Sequence, residues 1–216
     1  MSRRTEFQLE LKAIEPGDSV SGLSLGDQVF TPLKTFVQKH AKAYSEQMLA
    51  MSYGVFSDRK LVGYITLVCG QVEVEDDEPA PNIGDANYTY KHYPAVKIAR
   101  LAVDRRFREY GIGRRLVEFS LGLARNNVAS IVGCRFVVLD AKQQSIAFYE
   151  KNGFRLIDTE ANRARSEPVM FLDLKGTPIV EDEMVVDENV EGIDIAEASL
   201  EVIQDDFVQD GEQQAS

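Results

Sequence analysis

The chain has 216 residues, 44% of them hydrophobic, which suits one globular domain plus an appendage. Its 24 Lys+Arg against 35 Asp+Glu leave a formal charge of −11, so nucleic-acid binding would need a locally basic face. No apolar run is long enough to span a bilayer, and Met1-Ser2-Arg3-Arg4 leads into charged sequence, so a cytoplasmic protein without membrane association is expected.

Taken in order, Phe7 to Ile14 alternates like a first strand, and Pro16-Gly17-Asp18 turns the chain. Leu33 to Leu49 has helical periodicity, with Leu33, Phe36, Val37, Ala41, Tyr44 and Met48 on or near one stripe. Ser52 to Ser57 and Leu61 to Val72 predict a hairpin around Asp58-Arg59-Lys60. An acidic, Pro-containing loop follows from Glu73 to Asn87. Asn87-Tyr88-Thr89-Tyr90-Lys91-His92-Tyr93-Pro94 interleaves aromatics with basic groups. It reads either as a stacking surface for a nucleotide or as a tyrosine-rich loop covering the sheet.

Ala95 to Val103 predicts the central strand and Gly113 to Asn126 a helix. Arg135 to Leu139 predicts a strand, Gln143 to Lys151 a helix, and Phe154 to Asp158 and Val169 to Leu174 two closing strands. The fold class is α/β in the α+β sense. It is a mixed, mostly antiparallel sheet of about six to seven strands flanked by helices.

The negative charge is unevenly placed. Residues 176–216 hold 13 acidic side chains and no Lys or Arg, leaving 22 acidic against all 24 basic residues in 1–175. The expected division is therefore a domain over 1–175 and an acidic tail over 176–216. Within the tail Ile193, Ala196, Leu200, Ile203 and Phe207 form one helical stripe. The tail is read as docking on its own domain, as engaging a protein partner, or as a solvated extension. Cys69 and Cys134 lie in strand-like surroundings and are read as reduced core residues; no metal-ligand spacing is present.

The chemistry concentrates after the central strand, at Arg108-Glu109-Tyr110-Gly111-Ile112-Gly113-Arg114-Arg115. A strand, a glycine turn and a helix start place unpaired N–H groups and a positive dipole end at one point, an arrangement that holds phosphates. The dinucleotide fingerprint fails, because Leu116 stands where its third glycine belongs. The P-loop fails too, for want of a G-K-[ST] triplet. What remains is R-x-x-G-x-G. It is followed by the strand Arg135 to Ala141 and by Phe148-Tyr149-Glu150-Lys151-Asn152-Gly153-Phe154.

This ordered pair of motifs resembles the GNAT superfamily of acyl-CoA-dependent N-acetyltransferases, over about residues 6–174. The resemblance implies a GNAT-like fold, acetyl-CoA as acyl donor and a primary amine as acceptor. It assigns the coenzyme diphosphate to main-chain groups of Arg108, Glu109, Tyr110, Gly111, Ile112, Gly113 and Arg114. It assigns the pantetheine arm to Leu101, Ala102 and Val103. Tyr149 is implied as the catalytic residue that protonates the leaving thiolate, and no metal is implied. Superfamily members often pair, so a homodimer is one state the resemblance allows. One departure is visible: Lys142 stands seven residues before Tyr149, where members usually carry Asn or Asp.

Gly63-Tyr64-Ile65-Thr66-Leu67, Arg100-Leu101-Ala102-Val103-Asp104 and Val138-Leu139-Asp140-Ala141 resemble, more narrowly, acetyltransferase toxins that modify the α-amino group of aminoacyl-tRNA. The alternatives kept open are a protein or small-molecule amine acceptor, and a non-catalytic acyl-CoA-binding module. Lys97, Arg100, Arg105, Arg106, Arg108, Arg114 and Arg115 form a basic cluster that serves either coenzyme phosphates or a tRNA surface. An α-amino group, with a pKa of about 8, relaxes the need for a strong base. Glu73 and Glu75 are candidate bases or solvated loop acids, and a backbone N–H near Val103 is the candidate oxyanion donor.

Overall fold

The computed structural model describes residues 8–73 and 88–176. Glu75, most of the acidic loop and the tail with its apolar stripe lie outside the described residues.

Seven strands form one sheet in the order β1-β2-β3-β4-β5-β7-β6. They are β1 (Leu9–Ala13), β2 (Met51–Ser57), β3 (Lys60–Glu73), β4 (His92–Val103), β5 (Phe136–Asp140), β6 (Arg155–Leu156) and β7 (Val169–Asp173). Every pairing is antiparallel except β4 with β5. That agrees with the mixed, mostly antiparallel α+β sheet expected from the sequence. The β2–β3 hairpin turns through Asp58 and Arg59, both left-handed (φ 48° and 62°).

The helices are α1 (Thr31–Lys39), α2 (Ala41–Glu46), α3 (Ile112–Leu123), α4 (Ala129–Ile131), α5 (Ile146–Lys151) and α6 (Glu160–Arg163). The single helix expected over 33–49 is two, broken at His40, whose φ of −124° leaves helical geometry. The apolar stripe survives because the break is one residue wide. The helix expected to reach Asn126 passes at Ala124 into a π-helical turn, Ala124–Val128. The strand expected over 154–158 shrinks to Arg155–Leu156, and α6 was not anticipated.

Two faces of the sheet carry separate cores. Tyr53, Ile65, Ile98, Phe119, Tyr149 and Phe154 pack on the α3 and α5 side. Leu23, Phe36, Val37, Leu61, Tyr64 and Ala102 pack on the α1 side. The Tyr64 hydroxyl, though buried, donates to Leu33 O at 2.7 Å and so satisfies its polar end while fixing α1 to β3.

Candidate active site

β4 and β5 pair over three steps, Ala95–Phe136, Val96–Val137 and Lys97–Val138. Both strands then continue unpaired with each other, β4 to Val103 and β5 to Asp140. The sheet therefore opens into a wedge whose β4 edge is residues 98–103. Lys97 Nζ lies 2.5 Å from Asp140 Oδ2 where the strands part.

A register slip shapes that edge. Leu67 pairs with Ile98 but Thr66 pairs with Arg100, so Ala99 is one residue too many and forms a bulge. A slip of one residue exchanges the two faces of a strand. Val96 and Ile98 face the α3 core before it, and Leu101 and Val103 do so after it. Ala102 joins the α1 core. The three strand residues expected at the pantetheine arm thus line the wedge through their backbone, with side chains sent to opposite faces.

The chain leaves β4 through Asp104, a fully buried carboxylate. Oδ2 accepts from Ser24 N (2.8 Å) and Arg106 Nη2 (2.8 Å), and Oδ1 accepts from Arg106 N (3.0 Å) and Nε (2.9 Å). Burial pushes its pKa up, but the Arg106 side chain and these backbone N–H groups outweigh it and hold the carboxyl down to about 2. Arg105–Tyr110 follows as a 3-10 turn, and Gly111 reverses the chain at φ +69°. A left-handed residue costs an L side chain about 1–2 kcal/mol, which explains the glycine.

α3 starts directly after Gly111 with no side-chain cap. The N–H groups of Ile112, Gly113 and Arg114 occupy its first turn, where an α-helix offers no internal partner. Among the described residues nothing lies within 4 Å of the position a Gly111 Cβ would take, so they leave the approach open. Gly113 differs: its Cβ would stand 3.3 Å from the Phe148 ring, so its bareness serves the packing of α3 against α5. Residues 111–114 therefore converge on one helix N-terminus. Arg108, Glu109 and Tyr110 sit one turn earlier, with Arg108 Nη2 donating to Leu25 O at 2.6 Å. This N-terminus, open and free of carboxylate caps, fits a diphosphate.

α5 packs Phe148 against the start of α3 and carries Tyr149 next to it. Its ring is buried edge-on between Phe148 (5.1 Å) and Phe154 (5.8 Å). Its hydroxyl has no hydrogen-bond partner among the described residues, yet is not among the fully enclosed polar atoms. Burial pushes the phenol up to about 12, so it carries its proton at any physiological pH.

Several expectations change. The Lys142 side chain turns away to Glu167 (2.7 Å), so the departure from Asn or Asp leaves no Lys142 ammonium in the wedge. Glu73 pairs with His92 at the far end of β3, six residues and about 20 Å from the Leu67–Ile98 pair where the wedge begins. It is not a base for chemistry at that point. Cys69 is exposed rather than in the core, and Cys134 is half-buried. Tyr93 is buried against Phe136 and Tyr88 lies over it, so the described part of the aromatic loop covers the sheet end; Tyr90 stays exposed. The basic cluster is smaller than its count. Lys97, Arg106 and Arg114 are paired with Asp140, Asp104 and Glu118. Arg100, Arg105, Arg108 and Arg115 have no carboxylate partner among the described residues.

Two features escaped the sequence reading. The Asp104 anchor gave no pattern to find. The bulge did: the apolar spacing Val96, Ile98, Leu101, Val103 runs two, three, two.

Residues 52–156 match the family model described as Acetyltransferase (GNAT) domain. No curated protein matches the chain in sequence. Among solved structures, AtaT complexed with acetyl-methionyl-tRNAfMet is similar at TM-score 0.66 and 20% identity, over 78% of this chain and 96% of that one. A tyrosine-to-phenylalanine mutant of KacT is similar at TM-score 0.65 and 23% identity, over 78% and 96%. A tyrosine-to-phenylalanine mutant of the AtaT toxin bound to acetyl-CoA and the C-terminus of the antitoxin AtaR is similar at TM-score 0.62 and 20% identity, over 78% and 94%. At such identities the likeness to these structures is one of fold.

Proposed function

Residues 52–156 carry a match to a GNAT acetyltransferase domain; from that premise we propose that the chain takes an acetyl group from acetyl-CoA and transfers it to the α-amino group of aminoacyl-tRNA. The observation that carries the reading is the wedge between β4 and β5, which leads to an open, uncapped helix N-terminus packed against α5, the helix that carries Tyr149.

In this reading the N–H groups of Gly111, Ile112, Gly113 and Arg114 hold the coenzyme diphosphate, and the turn Arg108-Glu109-Tyr110 positions them. The pantetheine arm runs along the free β4 edge at Leu101, Ala102 and Val103. From Val103 back to Ile98 that edge covers about 16 Å, which puts the acyl carbon beside the bulge. A backbone N–H on that edge meets the developing oxyanion.

The amine attacks the acyl carbon, the C–S bond breaks, and the sulfur leaves with the electron pair. The amine sheds one proton and the thiolate takes one up, so the exchange is neutral. With an α-amino pKa of about 8, roughly a tenth of the acceptor is already unprotonated at pH 7. Tyr149, at about 12, is a weaker acid than a thiol of about 8.5. It therefore keeps its own proton and serves as a hydrogen-bond donor that steadies the departing sulfur, which takes up the proton the amine sheds.

Two things support tRNA as acceptor. Arg105, Arg108 and Arg115 flank the glycine turn in sequence and have no carboxylate partner among the described residues. The fold is also that of AtaT, solved with acetyl-methionyl-tRNAfMet. The acidic tail, residues 176–216, is proposed as a regulatory segment that covers this basic face or engages a partner. Incubating the full chain with labelled acetyl-CoA and charged tRNA tests the acceptor. Label should enter the aminoacyl-tRNA and not uncharged tRNA. Transfer to lysine peptides or small amines, with none to charged tRNA, would reject it.

A further inference from the structure

An open cavity of about 550 Å³ lies on the α1 face of the sheet, next to the wedge. Thr31, Thr35 and Phe36 of α1 form one wall, and Tyr44 of α2 and Arg100 of β4 complete it. Arg100 faces this cavity because of the bulge at Ala99. Without that extra residue, the alternation that sends Ile98 into the α3 core would send Arg100 there too.

The guanidinium carbon stands 3.7 Å from the centroid of the Phe36 ring. Stacking of this kind fixes the plane of the group and leaves its N–H edge free. Among the described residues no hydrogen bond or ion pair engages that edge. None of the residues lining the cavity is acidic. A planar cation with unengaged donors, in a cavity without carboxylates, is complementary to an oxyanion.

We propose that this cavity seats an oxyanion of the acetyl acceptor, with Arg100 as the residue that selects for it. The inference rests on the transferase reading above. Arg100 adjoins Leu101 on the β4 edge, so an anion held there sets how far the acceptor's amine reaches into the wedge. In aminoacyl-tRNA the anion is the phosphodiester of the terminal nucleotide. In a free amino acid it is the carboxylate.

The test uses the full chain with coenzyme A at saturation, so that the glycine turn is already filled. Adenosine 5′-monophosphate and methionine are titrated separately by calorimetry. Wild type should bind one of them; the nucleotide assigns the phosphate source and methionine the carboxylate source. Arg100→Gln should weaken binding about tenfold, the loss expected for a charge-assisted hydrogen bond. Arg100→Lys should retain part of it. Gln28→Glu, at an exposed lining position where folding is not at issue, should weaken it as well by adding a carboxylate. In steady-state transfer, Arg100→Gln should raise the acceptor KM and leave the acetyl-CoA KM unchanged. No anion binding by wild type, or equal binding by all variants, overturns the proposal. Anion binding that depends on Arg100, with no transfer to charged tRNA, would instead reject the tRNA assignment alone.

Discussion

Lys97 and Asp140 form an ion pair of 2.5 Å that crosses from β4 to β5 just where the two strands lose their mutual hydrogen bonds. Backbone pairing ends at Lys97–Val138, and the side chains carry the contact two residues further along β5. Both side chains are partly exposed, so the pair contributes about 1 kcal/mol or less to stability. Its position gives it another consequence, because it bounds how far the wedge can close or spread. Asp140→Asn should shift the melting temperature little and should change acetyl-CoA affinity more than stability. Calorimetric binding and thermal melts on the same samples check this, and a large loss of stability with unchanged affinity would contradict it.

Tyr149→Phe should lower kcat about 100-fold, the lower end for loss of one hydrogen-bond donor to developing charge, with the acetyl-CoA KM nearly unchanged. The Phe ring keeps the contacts to Phe148 and Phe154, and the lost hydroxyl has no hydrogen-bond partner among the described residues. Stability should therefore move by less than about 0.5 kcal/mol. Since burial holds the phenol near 12, no alkaline fall in kcat from this group should appear below about pH 10. A wild-type rate in the variant with charged tRNA removes Tyr149 from the reaction.

Asp104 should make the fold acid-sensitive in a defined window. Its pKa in the folded protein, about 2, lies below its ordinary value of 3.8. A depressed carboxylate pKa adds stability that is present in full above the unfolded value and is lost as pH falls through the folded one. The loss should run from about pH 4 down to pH 2. Asp104→Asn should remove that step and destabilise by about 1–3 kcal/mol at pH 7, because the Ser24 and Arg106 donors lose acceptor strength. Urea melts across this pH range measure both.

Gly111→Ala should cost about 1 kcal/mol through its φ of +69°, since the space around it is empty. Gly111→Asn should cost less, as asparagine tolerates that region better. If 111–114 hold the diphosphate, coenzyme affinity should fall further than stability for Gly111→Ala. Equal loss of both would mean the turn is structural alone.

Deleting residues 177–216 should raise transfer to charged tRNA, or abolish capture of a protein partner, if the tail covers the basic face. The deletion removes the tail's acidic residues and no Lys or Arg. Unchanged activity, partner binding and oligomeric state would make the tail passive.

Most strands, the glycine turn and the helix after it follow from patterns that a sequence displays, whereas the sheet order and the wedge depend on long-range pairing that leaves no local pattern. The break at His40 was hidden because Phe36, Val37, Ala41 and Tyr44 keep one stripe across it, and a stripe records burial but not continuity. The bulge at Ala99 was legible in the two-three-two spacing of Val96, Ile98, Leu101 and Val103, and only its meaning was missed. The basic cluster was overcounted, because charge counting cannot show that Lys97, Arg106 and Arg114 meet Asp140, Asp104 and Glu118. Long-range partners such as Ser24 for Asp104 leave no local trace, being set by tertiary closure of an 80-residue separation.

That closure joins two regions with separate tasks. Asp104 accepts from Ser24 N, Arg105 N donates to Ser24 O, and Arg108 reaches Leu25 O, so the segment leading into α1 is fastened to the corner that carries the glycine turn. The donor cradle and the acceptor wall are therefore parts of one stiff body. Firming up either should be felt by the other, and the gain must be mutual: whatever factor the coenzyme lends to acceptor affinity, the acceptor returns in equal measure.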